Sequence, residues 1–212
     1  MSFDLEVLNE QQRAIMPAIA KFTTANGFYL GGGTAVALYL GHRRSVDFDL
    51  FTRHLIEDPL VLAKVAESAG LPIADTQTAR GTLHGTIQGV QVSFFEYPYP
   101  DIGKPSQWSD HSLELASLDD LACMKLAAIA QRGSRKDFID LYAIANEHRP
   151  IPELLELYRR KYSTKDVGHV LVGLTYFEDA EAEPSPEMLH DMPWEDIKRR
   201  LREWTKVLAE AP

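Results

Sequence analysis

Residues 28–51 of this chain read FYLGGGTAVALYLGHRRSVDFDLF, and this stretch decides the expected fold. Its first three residues form a predicted strand that runs into the glycine-rich turn Gly31-Gly32-Gly33-Thr34. A short apolar helix is expected from Thr34 to Leu40, closed by Gly41, and alternating apolar residues predict a second strand over 46–51. The order strand, turn, helix, strand indicates a mixed α/β unit.

The pattern of apolar residues outside that stretch divides the chain into two parts. Before residue 100, helices are predicted at 8–25 and 59–69, and strands at 73–79, 82–87 and 90–97. After a predicted loop over 98–109, helices are expected at 118–131, 135–148, 152–162, 166–178 and 194–209, with a loop over 178–191. We therefore expect an α+β fold, with a mixed sheet and flanking helices over 1–115 and a helical C-terminal part over 116–212.

Composition excludes several classes of protein. The 212 residues include 22 Lys and Arg against 31 Asp and Glu, and the formal net charge of −9 excludes a strongly basic nucleic-acid coat protein. The single cysteine, Cys123, excludes an internal disulfide framework and a zinc site built from cysteines. The N-terminus lacks the pattern of a signal peptide, and residues 28–41 are too short for a membrane span. We expect a soluble, cytoplasmic protein without a membrane partner.

The glycine-rich turn is a candidate phosphate site. A turn of this kind that leads into a helix offers free backbone N–H groups and the positive end of the helix dipole. Thr34 would add a hydroxyl at the predicted N-cap. The turn is neither a P-loop, since no Gly-Lys-Ser/Thr follows, nor a dinucleotide-binding fingerprint, since Val36 occupies the third glycine position. A purely structural role in tight packing is the alternative.

Asp47 and Asp49 are candidate metal ligands. Residues two apart on a strand point to the same face, about 7 Å apart, and their apolar neighbours indicate that this strand is largely buried. Two buried like charges repel each other and lose hydration, whereas a divalent cation such as Mg²⁺ would neutralise them. The alternative is an edge strand with two solvated aspartates. The preceding residues 42–44, His-Arg-Arg, form either a solvated turn or a contact with nucleotide phosphates.

Lys125 lies in the middle of the apolar stripe of the predicted helix 118–131. Such a lysine either extends to solvent or meets a buried anion, and we expect the phosphates of a bound nucleotide, so that removal of its charge alone would leave stability unchanged or raised. Asp137 lies three residues after Ser134, a spacing that also fits a capping box. Arg132, at the edge of the stripe, belongs to a basic cluster with Arg135 and Lys136 that could hold phosphates of an NTP or RNA.

Together these segments resemble the polymerase-β-type nucleotidyltransferase superfamily and, more closely, the AbiEii/AbiGii toxin family of nucleotidyltransferases. The resemblance rests on residues 31–51, extends through 92–100, 118–121 and 135–142, and covers roughly residues 10–148. It implies that the mixed sheet is nucleotidyltransferase-like and that the reaction is transfer of a nucleotide from an NTP to an acceptor. RNA such as tRNA, or a protein, would be the acceptor, and the protein would be the toxin of a toxin–antitoxin pair with an antitoxin protein as a partner.

The resemblance also implies roles for individual residues. In the family, an Asp-x-Asp pair binds Mg²⁺ (or Mn²⁺), a glycine-rich turn holds the triphosphate, and a downstream Lys and Asp are essential. By position these are the metal pair Asp47 and Asp49, the phosphate turn Gly32, Gly33 and Thr34, and the catalytic pair Lys125 and Asp137. From the basic residues themselves we add Arg44 and Arg132 as further phosphate contacts.

One position departs from the superfamily pattern. A third carboxylate is usual on the strand beside the Asp-x-Asp strand, and Ser93 occupies that place here. Either Glu96, as a further metal ligand, or Asp137 supplies the third acid, or the metal site is weakened. The weakened site favours an alternative function, an inactive nucleotidyltransferase-fold module that binds nucleotide, RNA or a partner protein. A glycosyltransferase also uses Asp-x-Asp, but the chain is short for one.

Overall fold

The computed structural model describes residues 3–108 and 112–209. The helices within these ranges are α1 Glu10–Asn26, α2 Gly32–Leu40, α3 Pro59–Ser68, α4 Leu118–Gln131, α5 Arg135–Glu147, α6 Ile151–Tyr162, α7 Gly168–Gly173, α8 Glu178–Glu181 and α9 Trp194–Ala209. The strands are β1 Phe28–Leu30, β2 Asp47–Thr52, β3 Ala74–Ala79, β4 Thr82–Ile87, β5 Val90–Glu96, β6 Ser106–Trp108 and β7 Leu113–Leu115.

The described strands form one mixed seven-stranded sheet in the order β3-β4-β5-β2-β1-β7-β6. β2 lies at its centre, parallel to β5 and antiparallel to β1, and β1 is parallel to β7. The predicted class, an α+β fold with a mixed sheet and flanking helices followed by a helical C-terminal part, is confirmed. The predicted boundary between residues 115 and 116 falls between β7 and α4 and stays a prediction.

Local sequence explains where α1 begins and ends. Asn9 and Gln12 form a reciprocal capping box, in which Gln12 N donates to Asn9 Oδ1 (2.8 Å) and Asn9 N donates to Gln12 Oε1 (3.1 Å). Leu8, predicted inside this helix, instead pairs with Ser45 in an isolated bridge. Gly27 ends the helix with a φ of +69°, which favours glycine, and the chain passes directly into β1.

Three stretches of the sequence prediction are wrong. The predicted loop over 98–109 contains β6, which pairs antiparallel with β7; residue 109 itself lies outside the described residues. Strands of three residues are too short to show an alternating pattern. Of the helix predicted over 166–178, the structure has α7, Gly168–Gly173, which ends at Gly173 because glycine has weak helix propensity. The loop predicted over 178–191 begins with a short helix, α8. Gly173 also packs closely against the backbone of Ala130, where a side chain would crowd it.

The two faces of β2 have different surroundings. Phe48 and Leu50 are fully buried on the face that also carries Phe94, whose ring packs against Phe22 of α1, with centroids 5.8 Å apart. The alternate residues of β2 point to the opposite face, where α2, α4 and α5 pack against one another. No helix among the described residues combines the length and the apolar character needed to cross a membrane. One face of β2 thus builds the core and the other faces the helices.

Candidate active site

A cavity of about 440 Å³ lies on the helix-facing side of β2. One part of its wall is charged or carries backbone N–H groups and comprises Gly32, Gly33, Asp47, Asp49, Arg132 and Lys136. Another part is aromatic and comprises Phe51, Phe95, Tyr97, Tyr99 and Tyr162. The cavity therefore brings together the glycine-rich turn, the aspartate pair and the basic cluster that the sequence places far apart.

The glycine-rich turn is pressed against Asp49. Gly31 N donates to the Asp49 carbonyl oxygen at 2.9 Å. Gly32 has a φ of +63°, and a Cβ at this position would overlap the Asp49 carboxylate, so only glycine fits there. α2 begins at Gly32, and Gly32 and Gly33 line the cavity in its first turn. This places the positive end of the helix dipole beside the two aspartates.

Asp47 and Asp49 share one face of β2, as the sequence predicted. Burial and the neighbouring charge of Asp47 raise the pKa of Asp49 to about 6, although Lys125 and other cations pull it down. Lys136 Nζ approaches Asp47 Oδ2 only to 3.7 Å, and its side chain is half exposed. The negative charge of this pair is incompletely balanced, and carboxylate oxygens are ligands that Mg²⁺ or Mn²⁺ accepts.

Glu96 does not belong to this pair. It lies in register with Thr52 and has the opposite parity to Ser93, which lies in register with Asp49. Its Oε2 instead accepts a hydrogen bond from Ile56 N at 3.2 Å. The prediction of Glu96 as a metal ligand is therefore wrong, and among the described residues no third His, Cys, Asp or Glu completes a metal-binding group.

Lys125 lies in a buried ionic network. Its Nζ lies 2.8 Å from both Asp137 Oδ1 and Asp140 Oδ2, and Arg43 donates to both oxygens of Asp140, from Nε at 2.7 Å and from Nη2 at 2.8 Å. Burial lowers the pKa of Lys125, but the charges of Asp140 and Asp137 raise it above its usual value. Burial likewise raises the pKa of Asp140, yet Arg43 and Lys125 hold it well below its usual range.

This network decides between the alternatives for Lys125 and Asp137. Lys125 meets a buried anion, as predicted, but the anion comes from the protein's own carboxylates. Asp137 does not form the predicted capping box, because Ser134 Oγ donates to Glu183 and the Asp137 carboxylate binds Lys125 and Arg132. Asp137 and Lys125 nevertheless line the cavity, so their predicted catalytic roles stay predictions.

Thr34 is the third residue of α2, and its predicted N-cap position is wrong. Its side chain is fully buried. Its hydroxyl donates to the Asp47 carbonyl oxygen at 2.5 Å and lies 2.7 Å from Ser45 Oγ. The hydroxyl thus fixes α2 to the start of β2 and is not free to bind a phosphate. In this turn, only backbone N–H groups would be available to a phosphate in the cavity.

The basic residues for which we considered a phosphate contact lie either away from the cavity or on its wall. Arg44 binds Glu187 at 2.7 Å and the carbonyl of Glu6 at 2.9 Å, away from the cavity, so its predicted phosphate contact is wrong. His42 and Arg43 are buried and bind Asp140, which excludes the first alternative, a solvated turn, and neither of them lines the cavity. Arg132 does line the cavity, with Nε 2.9 Å from Asp137 Oδ2 and a side chain 61% exposed.

Sequence reasoning missed several residues of the site. Asp140 lies three residues after Asp137, on the same face of a helix, and that spacing could have revealed it. His84 and the tyrosines at 97, 99 and 162 come from separate elements, and no local pattern joins them. The hydroxyl groups of Tyr97 and Tyr162 hydrogen-bond to each other, and the Tyr97 and Tyr99 rings pack with centroids 4.8 Å apart.

Solved structures with the same fold include two bacterial proteins. The MenT4 nucleotidyltransferase toxin of Mycobacterium tuberculosis H37Rv is 15% identical, with a TM-score of 0.56 over 96% of this chain and 86% of that chain. JHP933 from Helicobacter pylori is 18% identical, with a TM-score of 0.53 over 95% of this chain and 93% of that chain. At these identities the likeness shows a shared fold.

Similarity in sequence shows the family of this chain in addition to its fold. The chain is 35% identical to an uncharacterized protein, aq_aa25, of Aquifex aeolicus (strain VF5) over 204 residues, which are 93% of this chain and 97% of that protein. The family model described as "Nucleotidyl transferase AbiEii toxin, Type IV TA system" matches residues 14–209. These residues include the turn, the aspartate pair and the ionic network, and the chain belongs to the AbiEii nucleotidyl transferase toxin family.

Proposed function

We propose that this protein is a metal-dependent nucleotidyltransferase that transfers a nucleotide from an NTP to an acceptor. The acceptor that we propose is RNA, such as tRNA. The protein would act in the cytoplasm as a toxin whose partner is an antitoxin protein. The observation that carries the proposal is the incompletely balanced Asp47–Asp49 pair beside the first turn of α2 in one cavity. Membership in a nucleotidyl transferase toxin family supports both the reaction and the toxin role.

The residues of the cavity suit a triphosphate. The backbone N–H groups of Gly32 and Gly33 begin α2 and would donate to its phosphate oxygens. Arg132 and Lys136 carry positive charge at the same wall and would offset the charge of the phosphates. Asp47 and Asp49 would hold Mg²⁺ or Mn²⁺, which when bound supplies charge neutralisation at the reacting phosphorus.

Lys125 and Asp137 hold this wall of the cavity in place. Their ion pair connects α4 to α5 next to the aspartate pair, and Asp140 connects Lys125 to Arg43 in the segment that precedes β2. The charge of Lys125 also acts on Asp49, whose pKa it lowers. In the proposed reaction Lys125 balances the charge of the site, and Asp137 fixes Lys125 and Arg132.

The aromatic wall supports a nucleic-acid acceptor. Tyr99 is 40% exposed, and its ring packs against Tyr97 and Tyr162. Exposed aromatic rings of this kind stack with unpaired bases without strong sequence preference. An RNA end bound in the cavity would have this wall beside it, and we therefore favour RNA over a protein as the acceptor.

The test is incorporation of label from each α-³²P-labelled NTP into bulk tRNA, total RNA and the protein itself, with Mg²⁺ or with EDTA. We expect Mg²⁺-dependent labelling of RNA by the parent protein. Labelling should fall at least about a hundredfold in Asp47→Asn and Asp49→Asn, whereas Asp179→Asn, which changes an exposed aspartate on α8, should match the parent.

A second candidate function is an inactive nucleotidyltransferase-fold module. Ser93 at the place of a third acid favours it. Calorimetry with Mg²⁺ and each NTP separates the two candidates, because a module of this kind binds nucleotide without incorporating it. Labelling of protein in place of RNA would overturn the RNA acceptor and keep the transferase.

A further inference from the structure

A row of three side chains crosses the sheet beside the aspartate pair. Asp49 on β2 lies in register with Ser93 on β5, and Ser93 lies in register with His84 on β4. Residues in register on neighbouring strands share a face, with Cα atoms about 5 Å apart. All three side chains line the same cavity. The row therefore extends from the aspartate pair to an imidazole.

The His84 ring has two contacts that fix it. Nδ1 lies 2.9 Å from Ser93 Oγ, and the ring packs edge-on against Phe95, with centroids 5.3 Å apart. Within residues 3–108 and 112–209, the structure gives Nε2 no hydrogen-bond partner. One ring nitrogen is thus anchored by Ser93 while the other is available to a molecule in the cavity.

The two acids predicted to supply the third carboxylate of this site are engaged with other partners. Glu96 faces away from the cavity and binds Ile56 N. Burial raises the pKa of Asp137, but Lys125 and Arg132 outweigh it and hold the pKa below its usual value. A carboxylate bound to two cations is a weak proton acceptor.

We propose that His84, anchored by Ser93, is the catalytic residue that accepts the proton of the acceptor hydroxyl. Nδ1–H donates to Ser93 Oγ in this arrangement, and Nε2 carries the lone pair. The inference rests on the proposed nucleotidyl transfer. The acceptor O–H proton passes to Nε2, and the acceptor oxygen bonds to the α-phosphorus of the NTP. The bond from that phosphorus to its bridging oxygen breaks, and pyrophosphate leaves with the electron pair.

Charged groups on several elements line the two cavities that His84 borders. By element they are Asp47 and Asp49 on β2, Asp75 on β3, Lys125 on α4 with Arg132 just after it, and Lys136 and Asp137 on α5. The aspartates on either side would stabilise the imidazolium that forms. The cations lie on the wall where the triphosphate is proposed to bind. His84 thus lies on the sheet, whereas the cations proposed to bind phosphate lie on α4, on α5 and between them.

The experiment measures single-turnover labelling of bulk tRNA with α-³²P-labelled NTPs across pH 6 to 9. The variants are His84→Asn, His84→Ala, Ser93→Ala and, as the matched control, His54→Asn, which changes an exposed histidine outside the cavity. Calorimetry with Mg²⁺-NTP measures nucleotide affinity, and thermal unfolding checks that each variant is folded.

We expect His84→Asn to lower the rate by about 10²–10⁴ with nucleotide affinity unchanged and the rise of rate with pH lost. Added imidazole should restore part of the rate of His84→Ala. Ser93 is a positioning residue, so Ser93→Ala should lower the rate by about threefold to tenfold and keep the rise of rate with pH. His54→Asn should match the parent.

Three results would overturn the inference. Parent-like rates for both His84 variants overturn it directly. A loss of rate that is matched by an equal loss of Mg²⁺-NTP affinity would make His84 a binding residue. A loss with the pH profile intact and no rescue by imidazole would make it structural. If the parent protein itself labels nothing, the proposed function fails, and this inference fails with it.

Discussion

Two pairs of carboxylates each lie on one face of a single element: Asp47 and Asp49 on β2, the strand pair, and Asp137 and Asp140 on α5, the helical pair. The surroundings of the two pairs differ in how far they balance the negative charge. Asp140 is fully buried between Arg43 and Lys125, and its pKa lies well below the usual range. Asp49 borders the cavity, and its pKa is raised to about 6. The helical pair is neutralised by the chain itself. The charge of the strand pair is incompletely balanced by the chain and is available to a cation that enters the cavity.

The contrast teaches which carboxylates of this site are structural and which are open to ligand. A buried charge is tolerated when partners and hydrogen bonds replace its water, and the helical pair has both. The strand pair is next to a turn where only glycine fits, and its nearest cation outside the network, Lys136, is half exposed. Substitutions in the two pairs should therefore change stability in opposite directions.

The largest effect is expected for Asp140→Asn. This change leaves the buried cations Arg43 and Lys125 without their shared anion, and it should lower the free energy of unfolding by about 3–5 kcal/mol in urea. Because the folded-state pKa of Asp140 is depressed, its contribution is present above pH 4 and is lost as the pH falls through the folded-state value. The variant should therefore lose less stability than the parent on acidification.

Asp119→Asn is the matched control for that change. Asp119 is 16% exposed and pairs with Arg149 at 2.8 Å and with His148 at 2.7 Å. Both partners reach solvent, and pairs at the surface contribute about 0–1 kcal/mol. A destabilisation by Asp140→Asn as small as that of the control would contradict a structural role for the helical pair.

Lys125→Met should come next, with a loss of about 2–4 kcal/mol in the free energy of unfolding. The sequence alone predicted stability unchanged or raised, because it treated the ammonium as lacking a partner. The structure gives it two carboxylates at 2.8 Å, so removing the charge leaves both underpaired. Urea unfolding beside Lys64→Met, on the exposed side of α3, measures the difference. Equal stability of the two variants would return Lys125 to the role of a nucleotide contact alone.

Asp49→Asn should raise stability by about 1 kcal/mol at pH 7.5. The folded-state pKa of Asp49, about 6, lies above the ordinary value, so the penalty develops as the pH rises from about 4 to 6 and is complete above 6. Near pH 4 the carboxyl is largely protonated in both the folded and the unfolded state, so the gain should almost vanish there. Melting temperatures of parent and variant at pH 4 and 7.5 measure this gain. With Mg²⁺ added, only the parent should be stabilised. A variant that melts below the parent at pH 7.5 would show the strand pair to be balanced after all.

The smallest effect is expected for Glu96→Gln. The amide oxygen of glutamine can still accept from Ile56 N, so the free energy of unfolding should change by less than about 1 kcal/mol. Label incorporation should stay within about twofold of the parent, since Glu96 faces away from the aspartate pair. A hundredfold loss of incorporation would show that the third acid is Glu96 on β5.

Sequence patterns predicted the parts of the site that depend on one element. Parity along a strand placed Asp47 and Asp49 on one face, and the apolar stripe of α4 placed Lys125 among buried residues. Glu96 was placed wrongly because its face depends on how β5 aligns with β2. Arg44 was placed wrongly because its partner, Glu187, lies 143 positions further along the chain. Thr34 was placed wrongly because its hydroxyl meets the Asp47 carbonyl only when α2 packs against β2.

The sequence by itself determined the α+β class, the glycine-rich turn before α2, and the family to which the chain belongs. Each of these depends on residues near one another in the chain, where periodicity and backbone conformation act locally. Only the tertiary structure decided which charges are balanced, because Arg43 and Asp140 meet across 97 positions of sequence. It alone also aligned Asp49, Ser93 and His84 across three strands. Charge balance and strand register depend on distances through space, and no pattern along the chain encodes those distances.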